Sequence, residues 1–239
     1  MKVQVFIPCF IDQLYPQVAI SMIRVLRKAG CEIVYPVNQT CCGQPAFNAG
    51  FHEDAIDVCN KFIKDFSADL PVVGPSASCV GFVQNHFREL LEGKTNQPQA
   101  EYLSNNIFEF ADFLVNHLQV TEFDAQLNVT ATYHDSCAAL REVGIKKEPR
   151  ALLSNVKGLN LVEMAENETC CGFGGTFAVK FADISNAMAE QKLEHATATQ
   201  ADLVISTDTS CLMHLQGTAG LQHSHLKFMH LAEVLASGW

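Results

Sequence analysis

The pair Cys41-Cys42, followed by Gly43, returns as Cys170-Cys171-Gly172, and each copy has one cysteine far upstream and another far downstream. Cys9 precedes Cys41 by 32 positions (41 − 9), and Cys137 precedes Cys170 by 33 (170 − 137). Cys79 follows Cys42 by 37 (79 − 42), and Cys211 follows Cys171 by 40 (211 − 171). Eight of the ten cysteines therefore form two sets of four with nearly the same spacing. That pattern points to an internal duplication built around two four-thiol sites.

The hydrophobic periodicity is read in that light. Val3 to Ile7, Glu32 to Val37 and Leu70 to Val73 read as strands of the first copy, with helices over Tyr15 to Lys28, Glu53 to Phe66, Val80 to Leu91 and Ile107 to His117. The second copy offers strands at Val129 to Tyr133, Asn160 to Glu163, Asp202 to Ile205 and Leu226 to Phe228. Its helices cover Glu148 to Asn155 and Ala178 to Ala196, with a short one after Ser210-Cys211 and a last one to Leu235. Leu118 to Asn128 reads as the join, which gives domains 1–120 and 121–239. The fold class is α/β: two pseudo-repeated domains, each a small, mostly parallel sheet flanked by helices. Phe108 to Leu114 resembles Met229 to Leu235, one stretch at the end of each copy.

In an open α/β sheet the loops at the carboxyl ends of the strands meet in a crevice. Cys9 and Cys137 follow strands, the Cys-Cys-Gly loops leave strands at the same edge, and Cys79 and Cys211 sit where a strand passes into a helix. Four thiols can so converge from three connections in each copy. The candidate metal ligands are Cys9, Cys41, Cys42 and Cys79, then Cys137, Cys170, Cys171 and Cys211. Gly43, Gly172, Gly174 and Gly175 let backbone N–H groups approach a bound group, and His134, beside the second set, reads either as a core histidine or as a residue that tunes the site through hydrogen bonds. Structural zinc also takes four thiolates, and direct thiol–disulfide chemistry is a third use. Adjacent cysteines serve one tetrahedral ion awkwardly, however, and no short Cys-x-x-Cys hook is present. An iron–sulfur cluster of the [4Fe-4S] type, one or two per chain, suits the pattern better.

Other residues carry milder expectations. Cys31 and Cys59 have no counterparts and read as buried cysteines. His230 reads either as a core histidine or as a tuning residue, Asp135 and Ser136 as helix caps, and Met164 and Met188 as core. Phe47, Phe51, Phe173 and Phe177 lie near the loops, either packing them or facing a partner. A net charge of −10 argues against nucleic acid as a partner. No apolar run reaches the ~18 residues of a membrane span. No export signal is read at the start, so ten cysteines suggest metal or redox use in a cytoplasmic protein.

The flanks of the cysteines carry a resemblance. Cys41-Cys42-Gly43-Gln44-Pro45-Ala46, His134-Asp135-Ser136-Cys137, Cys170-Cys171-Gly172-Phe173-Gly174-Gly175-Thr176-Phe177 and the tail Met229 to Leu235 are similar to the lactate utilization protein A family. More distantly, they resemble the cysteine-rich CCG domain of the heterodisulfide reductases. The resemblance implies an iron–sulfur, electron-transfer subunit of a complex that oxidises L-lactate to pyruvate. Its implied partners are the other subunits of that complex, including a ferredoxin-type iron–sulfur protein. The heterodisulfide reductase motif carries one more cysteine, where this chain has Ser76 and Asp208. Non-cubane cluster chemistry and disulfide cleavage therefore do not carry over. No Gly-rich dinucleotide loop or ferredoxin cysteine run is present.

Overall fold

A computed structural model describes residues 1–66 and 69–239. Two four-stranded parallel sheets follow each other along the chain. The first contains β1 (Lys2–Val5), β2 (Glu32–Val34), β3 (Val72–Gly74) and β4 (Ile107–Glu109) in the order β2-β1-β3-β4. The second contains β5 (Gln126–Tyr133), β6 (Lys157–Leu161), β7 (Leu203–Ser206) and β8 (Lys227–His230) in the equivalent order β6-β5-β7-β8. Registers agree as well: Gln4 pairs with Val34 and Val72, and Ala131 with Leu161 and Leu203.

In the first copy the helices are α1 (Cys9–Leu14), α2 (Pro16–Lys28), α3 (Gln44–Asn48), α4 (His52–Asp65), α5 (Ala77–Leu90), α6 (Gln97–Asn106) and the single turn α7 (Phe110–Asp112). A π-helical turn, Phe113–His117, continues α7, and a second one, Ala139–Val143, follows Cys137. The second copy adds α8 (Lys147–Leu153), α9 (Thr176–Lys180), α10 (Ala182–Ala198), α11 (Thr209–Leu221) and α12 (Leu231–Leu235).

Strand alternation decides which core each side chain joins. Val3, Val5 and Ile7 of the first copy and Ala131, Tyr133, Leu203 and Ile205 of the second enter one shared core with α2, α8 and α12. Phe6 and Val72 point the other way, into an aromatic core with Phe62, Phe66, Phe82 and Phe87. Val204 likewise faces a smaller outer core made with α10 and α11. The copies are thus joined through a common interior, with an outer helical layer on each side.

Three readings from the sequence need correction. Ile107 to Glu109 is a strand, not the start of a helix, because it pairs in parallel with Val72 to Gly74 at the sheet edge. The stretch after Phe177 is two helices, broken at Phe181, whose φ of −131° leaves helical space. α6 has no apolar period to announce it: its polar sequence QPQAEYLSNN buries only Ala100, Leu103 and Ser104. Among the described residues no helix is long and apolar enough to cross a membrane.

Candidate metal centres

Every cysteine of the two sets lies at the carboxyl edge of its sheet. Cys9 opens α1 directly beyond β1, and Cys137 stands in the equivalent place beyond β5. Cys41-Cys42 and Cys170-Cys171 occupy the loops that lead into α3 and α9. Cys79 and Cys211 are each the third residue of a helix, α5 and α11, whose first turn follows a central strand. All eight line one cleft of about 480 Å³ between the copies, together with Arg141, Glu142 and His86. Cys31 and Cys59 sit in the apolar cores instead.

Within each set the thiols touch. Cys41 receives hydrogen bonds from Cys42 and Cys9 and is held as a thiolate at about 2. Its neighbours are pushed up, because Cys9 and Cys42 keep the protons they donate and because both are partly or wholly buried. Cys42 also contacts Cys79. The second set repeats the ladder: Cys170 sits at about 2 through hydrogen bonds from Cys137 and Cys171, and Cys171 reaches Cys211. The same sulfurs, deprotonated, are ligands.

The loops are built to let this happen. Gly43 takes φ of +96° and Gly172 +93°, a left-handed turn that costs glycine little. Their N–H groups then aim back at the first sulfur of each pair, Gly43 N to Cys41 Sγ at 3.4 Å and Gly172 N to Cys170 Sγ at 3.4 Å. A Cβ on Gly172 would stand 2.5 Å from the carbonyl oxygen of Ser185, so α10 lies against the loop with no room for a side chain. Gly174 and Gly175 line the cleft itself. Converging soft sulfur donors with backbone N–H groups beside them fit a thiophilic metal or a cluster.

The remaining candidates separate clearly. His134 is fully buried behind the second set rather than in the cleft, and neither ring nitrogen has a hydrogen-bond partner among the described residues. A ring nitrogen of His134, Cys171 Sγ and Cys211 Sγ all lie within 4.8 Å of one another. Burial, then the nearby Lys192, pushes its imidazole down to about 3, so the ring is neutral. His230 is a helix cap: its Nδ1 accepts from Ala232 N at 3.0 Å, and Glu233 accepts from its backbone N–H. Ser136 caps as expected, accepting from Ala139 N at 3.2 Å. Asp135 does not cap; it forms a bidentate pair with Arg150 at 2.6 and 2.7 Å, which Glu163 extends. Met164 is core, whereas Met188 is only half-buried. Phe47 packs on Phe82 and His86, and Phe173 on Phe10 and His214, so these two tie the loops to their own chain; Phe51 is 62% exposed.

Sequence reasoning missed Lys192. It is 1% exposed on α10, donates from Nζ to Glu166 O, and lies close enough to Cys171, Cys170 and Cys211 to feel their charge. Comparing the copies residue by residue along their helices would have revealed it.

Comparison with known proteins now adds what geometry cannot. The cysteine-rich CCG domain model matches twice, over residues 3–84 and 131–216, once in each copy. Lactate utilization protein A 2 of Bacillus cereus (strain AH820) is 41% identical over 239 residues, covering 100% of this chain and 99% of that protein. Lactate utilization protein A of Halalkalibacterium halodurans is 43% identical over 235 residues, covering 98% and 96%. The chain belongs to the lactate utilization protein A family. As a member of that family it carries the CCG pattern in both copies. A crystal structure of a hypothetical protein from Helicobacter pylori superposes with a TM-score of 0.65 at 11% identity, covering 100% of this chain and 49% of that one. The chain spans about half of that protein, and at such identity the likeness concerns the fold alone.

Proposed function

We propose that this chain is an electron-transfer subunit of a cytoplasmic complex that oxidises L-lactate to pyruvate, with one iron–sulfur cluster of the [4Fe-4S] type held by each cysteine quartet. The observation that carries the reading is the convergence of all eight cysteines on one cleft, four from each copy. Full-length likeness to proteins named for lactate utilization supplies the metabolic context. Four thiolates per site match the ligand count of a cubane cluster. Two such sites facing one cleft would let an electron enter at one and leave at the other without crossing the apolar cores.

The complementary subunits follow from what this chain lacks. Lactate oxidation removes a hydride or two electrons from the substrate carbon and a proton from its hydroxyl, and both need acceptors beside the substrate. No Gly-rich nucleotide loop is found in the sequence. His134, the histidine next to a cysteine of the sets, is sealed behind the thiols and cannot reach a substrate in the cleft. Partners, a ferredoxin-type iron–sulfur protein among them, would supply the rest. Val179 and Phe181, 84% and 53% exposed on and just after α9, whose first residue Thr176 lines the cleft, offer apolar surface suited to such a contact.

The test is anaerobic purification followed by iron, sulfide and zinc analysis. A brown protein with iron and sulfide in equal amounts, near four of each per filled site, is expected. A colourless protein that holds zinc would replace this reading with a structural one. Lactate should not be oxidised by the loaded chain alone with any nicotinamide cofactor, and turnover by the single chain would overturn the relay role.

A further inference from the structure

The two quartets share a frame but differ in what stands behind them. The offset of 128 that carries Cys9 onto Cys137 (137 − 9) also carries Phe6 onto His134 (134 − 6). On the helices against the Cys-Cys-Gly loops the offset is 130. A Cβ on Gly43 would meet Ala55 and Val58, and one on Gly172 would meet Ser185 and Met188 (185 − 55, 188 − 58). The same offset carries Phe62 onto Lys192 (192 − 62). In the first copy Phe6 and Phe62 meet edge to face with ring centroids 4.8 Å apart, an ordinary aromatic core. In the second copy the two places hold a histidine and a lysine, 0% and 1% exposed.

The fold does not ask for either residue, since its duplicate is built with phenylalanines. Burying an imidazole without a hydrogen-bond partner leaves its desolvation penalty uncompensated, and both nitrogens of His134 lack a partner among the described residues. The ring nevertheless stands within ligand reach of Cys171 and Cys211, at the face of the quartet turned away from the cleft. A buried, unpaired imidazole converging with two thiols is a metal-binding arrangement in its own right.

We propose that His134 coordinates metal at the second site beside Cys171 and Cys211, in place of one of the other two cysteines, so that the chain carries an all-cysteine centre in its first copy and a mixed cysteine–imidazole centre in its second. The proposal rests on the function above for the identity of the metal and not for the ligation itself. Lys192 then acts as a positioning residue: its Nζ pins the Glu166 carbonyl and brings a positive charge near the same sulfurs. Reduction potentials respond to ligand type and local charge. The two centres are therefore expected to differ in potential although their cysteine spacings are nearly the same.

The experiment labels the full chain with 15N-histidine, loads it with iron and sulfide, and records pulsed electron paramagnetic resonance of the reduced protein. A strongly coupled nitrogen is expected from one centre and not from the other. His134→Phe, which installs the first copy's residue, should abolish that coupling and weaken retention of the second centre against a chelator by about tenfold or more. The first centre should be unchanged. His134→Gln provides a polar variant should phenylalanine disturb folding, which circular dichroism monitors, and it too should lose the nitrogen. Two loaded centres without nitrogen coupling, or a coupling that survives both substitutions, overturns the proposal. If the chain takes up zinc and no iron, the cluster reading falls while this one is still decided by X-ray absorption at the zinc edge. Mixed nitrogen and sulfur ligation supports it, and sulfur alone sinks it.

Discussion

Two glycines hold corresponding positions and should respond differently to the same change. Gly43→Ala adds a methyl group 3.4 Å from Val58, an ordinary contact, so its cost is the left-handed backbone alone, about 1–2 kcal/mol. Gly172→Ala adds the same strain and also drives the methyl into the Ser185 carbonyl oxygen at 2.5 Å, which α10 cannot relieve without moving. We expect it to cost a further ~1–3 kcal/mol in urea denaturation and to release metal from the second site first. Equal losses for the two variants would mean that the loops are not packed as described. Cys41→Ser should empty the first site and leave the second, halving the metal per chain; loss of both in a folded variant would contradict two independent ligand sets. At this scale the eight cysteines were legible because duplication repeats their spacing. The state of His134 was not, since whether an imidazole finds a partner depends on what three separate segments bring around it. Its offset from Phe6 was visible in the sequence, but only the packing gives that offset a meaning.

Each copy ends in a strand followed by a short helix, and the residue that caps the helix is Glu109 in one copy and His230 in the other. Both are fully buried, so each titrates far from its usual range. Burial pushes the Glu109 carboxyl up from 4.5 to about 8, against the two backbone N–H groups that it caps. The folded protein therefore keeps a proton there that the unfolded chain has lost, and stability falls as pH rises from about 4.5 to about 8. Burial lowers His230 from 6.5 to about 4, so the unfolded chain takes up a proton that the folded one refuses, and stability falls as pH drops from about 6.5 to about 4. Below 6.5 the two effects oppose each other, with His134 acting in the same sense as His230; of the two caps, only Glu109 acts between 6.5 and 8. Glu109→Gln keeps the capping oxygen and should flatten the decline of stability over that range. His230→Asn should lessen the loss of stability on acidification below pH 6.5, because its share of the opposing effect is gone while that of His134 remains. Unaltered pH profiles in both variants would show that neither group carries the linkage. The likeness of Phe108–Leu114 to Met229–Leu235 was readable, but the strand inside it was not. Ile107-Phe108-Glu109 runs straight into the apolar residues of α7 and the π-helical turn, and three residues cannot show a period of two. β4 becomes a strand because β3 offers it an edge.

At the scale of the whole molecule the copies are held together by a shared core and by one tight crossing near the cleft. α5 of the first copy passes the π-helical turn of the second at Gly81, where a Cβ would stand 2.5 Å from Glu142 Cβ. Asn85, one turn further along, donates to the Glu142 carbonyl at 2.9 Å and to its carboxylate at 3.1 Å. Glu142 also lines the cleft, so this crossing fixes how far apart the two quartets stand. A glycine inside a helix ordinarily costs about 1 kcal/mol relative to alanine. Gly217 of α11, exposed and with nothing within 4 Å of its Cβ position, should follow that rule, and Gly217→Ala should raise stability by up to about that amount. Gly81→Ala gains the same propensity but meets a Cβ that can retreat only if the copies move apart. Overpacking of this kind costs about 1–3 kcal/mol, so the net change should be destabilising. The sign is the test. Urea denaturation of the two variants side by side should show Gly217→Ala above the parent protein and Gly81→Ala below it, with faster loss of metal from the Gly81 variant as the cleft widens. If both variants were stabilised alike, the close approach of α5 to residues 139–143 would not exist in solution, and the quartets would not share one cleft.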